Sequence, residues 1–315
     1  MLFIFFPFMF FLVGINFSVN AETAGRENSL FPYSFSAVLT TGMEYGQSTE
    51  TVYKYPDNEV LMSQLLWDIK PVFYAASSLE FSRTNLQEGI GFFSRLALKA
   101  GFPGKSGLME DRDWIAADSD ELTHFSSHDN YAQGSFSLDF SAGLSFPLPS
   151  RFLLKVYGTL FYMSYSWVAR DGYFNYQQVE ESAFGAVLIY SQKWLIFAPG
   201  VSLYAPLFSF LGFELSLQFG PAAFCVAQDD HLLRKVQFVD TITGGLYFKP
   251  RGELIFFPGK KISFSFYAAY PFLTGRGKAY SRSAENTELI RNGNYDASGA
   301  GYSALDLGIS LRIGL

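Results

Sequence analysis

The last eleven residues alternate without interruption. Leu305, Leu307, Ile309, Leu311, Ile313 and Leu315 stand against Asp306, Gly308, Ser310, Arg312 and Gly314. Successive side chains of a strand project to opposite faces, so this segment is predicted to be a strand with one apolar and one polar face. The same period recurs upstream: Phe136, Leu138, Phe140, Ala142, Leu144 and Phe146 alternate with Ser135, Ser137, Asp139, Ser141, Gly143 and Ser145. It returns in Phe213, Leu215, Leu217 and Phe219 against Gly212, Glu214, Ser216 and Gln218. Ile262, Phe264, Phe266 and Ala268 form another apolar face with Ser263 and Ser265 opposite, and Leu96, Leu98, Ala100 and Phe102 have Arg95 and Lys99 behind them. Strands of a soluble sandwich run about five or six residues. These runs are about as long as a strand that crosses a bilayer at a tilt.

Lipid tolerates strands only in a closed barrel, because an open edge would leave unpaired backbone groups in hydrocarbon. Counting segments between turn signals gives about ten strands, an even number as such barrels have. The predicted fold is therefore all-β, a transmembrane antiparallel β-barrel of about ten strands with long extracellular loops. Short turns are expected at Leu148-Pro149-Ser150 and Pro258-Gly259-Lys260. Longer polar connections are expected near residues 51–58, 113–130, 171–181, 229–235 and 275–299.

Composition agrees with this reading. Of 315 residues, 49% are apolar and 18% aromatic, but only 17% are charged, against about 25% in ordinary soluble domains. Residues 1–21 are the one long apolar segment, ending in Val19 and Ala21, the small residues of a signal-peptidase site. They are expected to be a cleaved signal peptide that exports the chain, with residues 22–315 forming one barrel domain. Beyond them no run of about 18 apolar residues suggests a membrane helix. The formal net charge is −6 and no basic block appears, so nucleic acid is not an expected partner. The single cysteine, Cys225, excludes an intrachain disulfide.

Two ionisable clusters fall where strands meet polar connections. In Met109-Glu110-Asp111-Arg112-Asp113-Trp114, Asp111 and Asp113 share a strand face, so paired carboxylates would face the lumen. In Gln228-Asp229-Asp230-His231, Asp229 and His231 share a face, and an imidazole held by a carboxylate is a general base able to take a proton from water. Either cluster, taken alone, is also what a solvated loop or a surface ion pair presents. His124 and His128 have a loop-like spacing and no closed set of zinc ligands beside them. Cys225 lies in apolar Phe224-Cys225-Val226, a poor setting for a thiolate nucleophile.

Taken together and in order, these segments resemble the omptins, outer-membrane proteases built on ten-stranded barrels. The likeness runs from about Phe35 to Leu315. It is carried by Glu50-Thr51-Val52-Tyr53, Ser63-Gln64-Leu65-Leu66-Trp67, the Asp-x-Asp-Trp of Asp111 to Trp114, His124 and Asn130-Tyr131-Ala132. Tyr165-Ser166-Trp167-Val168-Ala169-Arg170 and Asp229-Asp230-His231 complete it. The resemblance implies an endopeptidase at the outer membrane, acting on external peptides or proteins. It further implies that Asp111 and Asp113 face Asp229 and His231 across the barrel mouth with the nucleophilic water between them. Neither metal, cofactor nor acyl-enzyme is then required.

Three positions depart from the family. Omptins favour basic residues through two acids in the substrate pocket. Glu50 matches one, but Ala227 stands at the other, so the preference for Arg or Lys is expected to be weakened or redirected. Omptins commonly need lipopolysaccharide held by basic residues on the outer wall. Lys193 matches one of these and Ser164 replaces an arginine, so activation by lipopolysaccharide is not expected, while outer-membrane lipid remains an expected partner. The chain ends in Leu315 where barrels often end in an aromatic. The competing readings are a non-catalytic adhesin whose acidic cluster is a binding patch, and a small porin, for which ten strands leave little room.

Overall fold

The computed structural model describes residues 33–55, 60–84, 89–116, 121–176, 179–283, 288–292 and 297–315. The expected signal segment lies outside them. Their strands are β1 (Tyr33–Tyr55), β2 (Val60–Thr84), β3 (Gly91–Gly101), β4 (Gly104–Asp113), β5 (His124–Pro147), β6 (Leu153–Tyr176) and β7 (Val179–Ser182). They continue with β8 (Ala186–Phe208), β9 (Leu211–His231), β10 (Val236–Phe256), β11 (Ile262–Ala269), β12 (Phe272–Ser283), β13 (Ile290–Asn292) and β14 (Ser298–Gly314). All belong to one antiparallel sheet that closes on itself where Ser36–Val52 of β1 pair with Gly314–Ser298 of β14.

The ring has ten staves, because β3 with β4 and β11 with β12 each form one, and β7 and β13 are short ribbons beside β6 and β12. Both divided staves break at a proline, Pro103 and Pro271. Proline has no N–H to give to the ladder, so pairing restarts beyond it.

The alternation seen in the sequence sorts side chains as expected. Phe136, Phe140, Leu215, Phe219, Phe264, Phe266, Leu305 and Ile309 are exposed on the outer surface, while Ser141, Ser263, Ser265, Asp306 and Ser310 are buried inside. Towards the rim, the exposed apolar face ends at Tyr45 on β1, Val226 on β9 and Leu246 on β10. The short turns appear as expected, at Pro149–Arg151 and just after Phe256.

Among the described residues, the polar segments expected as long loops are for the most part continued strand. β1 runs on to Tyr55, β6 to Tyr176, β9 to His231 and β12 to Ser283, all beyond the apolar band. Their side chains are polar because the staves leave lipid there, while the ladder continues to pair backbone N–H and C=O groups.

A layer of aromatic side chains crosses the lumen. Trp67, Trp167, Tyr165 and Tyr190 are fully buried and stacked, with ring centroids 4.5 Å apart for Tyr165 and Trp167 and 5.4 Å for Trp67 and Tyr190. Gln192 reaches across from β8, its Nε2 donating to Thr49 O on β1 and Gly301 O on β14, each at 3.1 Å. Trp194 Nε1 donates to Gln192 Oε1 at 2.9 Å. Below this layer Lys99 bridges Glu44 at 2.5 Å and Asp306 at 2.9 Å. Cavities of about 1000 and 1200 Å³ lie below this layer, lined by paired charges such as Lys99 with Asp306 and Arg251 with Glu253, whereas both sequence-predicted acid clusters lie at the rim above it.

Candidate active site

Every sequence-predicted site residue lies on the part of a stave that projects past the apolar band. β9 carries Asp229 and His231 inward in its last three residues, and the turn Leu232–Lys235 then reverses the chain into β10. Asp229 is buried; its Oδ2 lies 2.6 Å from His231 Nε2. Its Oδ1 is buried without a hydrogen-bond partner. The imidazole packs edge-on against Phe238, with centroids 5.1 Å apart, which fixes its plane.

A second arm holds the imidazole. Arg234, in the turn, donates to His231 Nδ1 and also lies 3.3 Å from Nε2. Because Nδ1 accepts from the guanidinium, the ring proton sits on Nε2 and is donated to Asp229. The Nδ1 lone pair is the basic one, and Arg234 covers it.

β4 supplies Asp111 and Asp113, two residues apart on the inward face, paired in register with Leu65 and Ser63 of β2. Ser63 Oγ lies 3.5 Å from Asp111 Oδ1. Burial, together with the charges of Asp113 and Asp229, pushes the Asp111 carboxyl well above the ordinary carboxylate range, and Arg234 pulls it part of the way back. Asp111, His231 and Arg234 line one open cavity of about 700 Å³, walled by Phe174, Tyr176 and Leu188. One member of each expected couple, the acid of the first and the imidazole of the second, therefore faces the same space.

Glu50, on β1, is buried, and its Oε2 has no hydrogen-bond partner. Burial and then the charges of Asp229, Asp240 and Asp111 raise its pKa well above the usual range. Asp240 on β10 is the acid that sequence reading missed. It is buried, and burial with the charge of Asp229 pushes it up to about 7. A hairpin closing over Leu232–Lys235 pairs His231 with Val236, and counting four residues back along each strand sets Asp240 opposite Ala227. That count was a usable signal once the turn was known. Arg234 carried no signal, since an arginine in a turn is ordinarily solvated.

The other candidates fall elsewhere. His124 packs against Tyr176 and its Nδ1 lies 3.0 Å from Thr123 Oγ1. His128 is buried, with Nδ1 donating to the Asp171 carbonyl, and burial lowers its pKa. Cys225 is buried in the wall in register with Trp194, below the acid cluster. Among the described residues no three His, Cys, Asp or Glu side chains converge as a metal-ligand set. On the outer wall, exposed Lys193 and half-buried Ser164 are direct cross-strand neighbours.

Comparison with known proteins identifies the family and the fold. The model of the omptin family matches residues 31–314. No curated protein sequence matches the chain. Among solved structures, the outer membrane protease OmpT from Escherichia coli superposes with a TM-score of 0.78 at 14% identity, covering 90% of this chain and 97% of that one. A major outer membrane protein from Thermus thermophilus follows at a TM-score of 0.34, with 11% identity and coverage of 90% and 100%, too weak a likeness to bear on the fold.

Proposed function

Since the chain belongs to the omptin family of outer-membrane proteases, we propose that it is an endopeptidase whose nucleophile is a water activated by the Asp229–His231 couple opposite Asp111 and Asp113. One observation carries this reading: His231, whose Nε2 lies 2.6 Å from Asp229 Oδ2, lines a cavity that Asp111 also lines.

The chemistry follows from the charges. A substrate peptide entering the cavity displaces Arg234 from Nδ1, and the freed lone pair takes a proton from water as the water attacks the scissile carbonyl. Asp229 stabilises the imidazolium that results, because a buried carboxylate beside a forming cation gains far more than one in solvent. Burial and the charges of Asp113 and Asp229 raise the Asp111 carboxyl well above the ordinary carboxylate range, which favours its protonated form. A neutral carboxyl can donate to the carbonyl oxygen as negative charge develops there. The charge of Asp113 favours that protonated form, and Asp113 orients the water. The imidazolium then returns its proton to the leaving amine. The rim faces the exterior, so substrates are external peptides and proteins.

The test is a quenched-fluorescence peptide library incubated with full chain refolded in detergent micelles, and with intact cells carrying it. Cleavage by both preparations is expected. Asp229→Ala and His231→Ala are each expected to lower kcat/KM by about 10²–10⁴-fold, the usual range for loss of a general base. A correctly folded barrel that binds peptides and cleaves none would instead identify the non-catalytic adhesin.

A further inference from the structure

We propose that the lumen below the aromatic layer holds a binding site for an α-amino acid with an aromatic side chain, its carboxylate on Lys249 and its ammonium on Asp139. The site lies apart from the rim acids and is independent of the protease reading.

The charge balance of the lumen singles out these two side chains. The cavities of about 1000 and 1200 Å³ adjoin, sharing Asp139, Lys249 and Arg251 among their lining residues. All but two of the charged side chains that line them are matched. Lys99 holds Glu44 and Asp306, Arg95 and Arg312 share Glu80, Arg251 holds Glu253, and Lys155 lies 3.4 Å from Glu214. Lys249 has no ion pair or hydrogen bond among the described residues, and Asp139 accepts only from Ser141 Oγ, at 2.8 Å. An ammonium or a carboxylate held away from bulk water is costly until an opposite charge reaches it.

Their placement leaves room for that partner. β5 and β10 stand across the ring from one another, with β6, β8 and β9 between them. The lysine reaches over the gap: its Nζ lies 5.7 Å from the ring centroid of Phe161, and Phe161 is the direct cross-strand neighbour of Asp139. The two charges approach without pairing. A zwitterion fits between them, offering acceptors to the ammonium and donors to the carboxylate.

The carboxylate is oriented in advance. Tyr247 donates to Gln218 Oε1 at 3.0 Å, Gln218 Nε2 to Thr159 Oγ1 at 3.1 Å, and the Thr159 and Ser141 hydroxyls lie 2.8 Å apart. Because Ser141 donates to Asp139, Thr159 donates to Ser141, and the whole chain of donors runs one way and ends on Asp139 Oδ1. Its Oδ2 is left for a ligand. Toward the aromatic layer the upper cavity is walled by Phe161, Met163 and Tyr165, and Phe161 is itself stacked on Tyr247 at 5.9 Å. An aromatic side chain packs against that surface, which a purely charged ligand would leave bare. Entry is from the turn side, where the lower cavity reaches the exposed hydroxyls of Ser34 and Ser82.

The experiment titrates L-phenylalanine into refolded full chain in detergent micelles by calorimetry. Two comparison compounds are 3-phenylpropionate, which lacks the ammonium, and 2-phenylethylamine, which lacks the carboxylate. L-phenylalanine is expected to bind saturably, and each comparison compound at least about tenfold more weakly, the scale of one lost hydrogen bond to a charged group. Lys249→Met is expected to bind L-phenylalanine no better than 2-phenylethylamine, and Asp139→Asn to bind it no better than 3-phenylpropionate. This crosswise pattern is one that a loosened barrel would not produce. The wild-type series decides by itself if either variant fails to fold. No saturable binding of L-phenylalanine, or equal binding of all three compounds, overturns the proposal and leaves the rim chemistry untouched.

Discussion

At the scale of residues, the rim gathers four buried acids and leaves them short of partners, so function here opposes stability. Burial holds Asp240 at about 7 against an ordinary 3.8. The folded chain keeps a proton that the unfolded chain releases above about pH 4, so this group's contribution is fully present at low pH and is lost as pH rises through 7. Asp240→Asn is therefore expected to stabilise the protein at pH 7.5 relative to pH 4.5, by an amount that grows about 1.4 kcal/mol per pH unit at most. Unfolding midpoints of both forms in micelles, measured across that range, check it; parallel curves would refute it. Arg234 belongs to the same scale. Its contact with His231 is exposed, and exposed pairs are worth under about 1 kcal/mol, so Arg234→Ala is expected to raise kcat/KM by up to about fivefold. A large loss would show instead that Arg234 positions the imidazole.

Whole elements decide where those residues stand. β9 and β10 are long enough to carry Asp229, His231 and Asp240 past the lipid-facing band, and the four-residue turn sets their register. Reading polar stretches as loops misplaced this boundary: polarity reports departure from lipid, and hydrogen-bonded pairing continues wherever strands find partners. Gln192 ties three staves together across the lumen. Gln192→Leu would leave the Thr49 carbonyl without its side-chain donor and the Gly301 carbonyl with Ser48 Oγ alone, and a buried acceptor that loses its donor costs about 1–3 kcal/mol. A clear fall in the unfolding midpoint, with cleavage activity falling as the rim loosens, is the expected result.

For the molecule as a whole, the outward band commits the barrel to lipid. Phe266 lies midway along the exposed face of β11, so Phe266→Arg is expected to destabilise the barrel in phosphatidylcholine vesicles by about 2–4 kcal/mol. A urea titration in vesicles measures it. On the same outer wall, Lys193 has Ser164 as its neighbour, and no second cation from that position joins it. Phosphate groups are held by bidentate, charge-assisted contacts, so adding lipopolysaccharide to active micelles is expected to change kcat by less than about twofold. Strong activation would show that other residues bind the lipid.

Period-two alternation and composition determined the barrel, its approximate strand number and which face meets lipid, because a strand's side chains have no choice but to alternate. The order of Asp111, Asp113, Asp229 and His231 along the chain suggested the family. Tertiary structure alone decided that Asp111 and His231 border one cavity, that Arg234 covers the basic nitrogen, and that Asp240 joins Glu50 and Asp229 in one buried cluster of acids. Closing the sheet brings together residues from opposite ends of the chain, and pairing register, which depends on each turn and bulge, sets who meets whom.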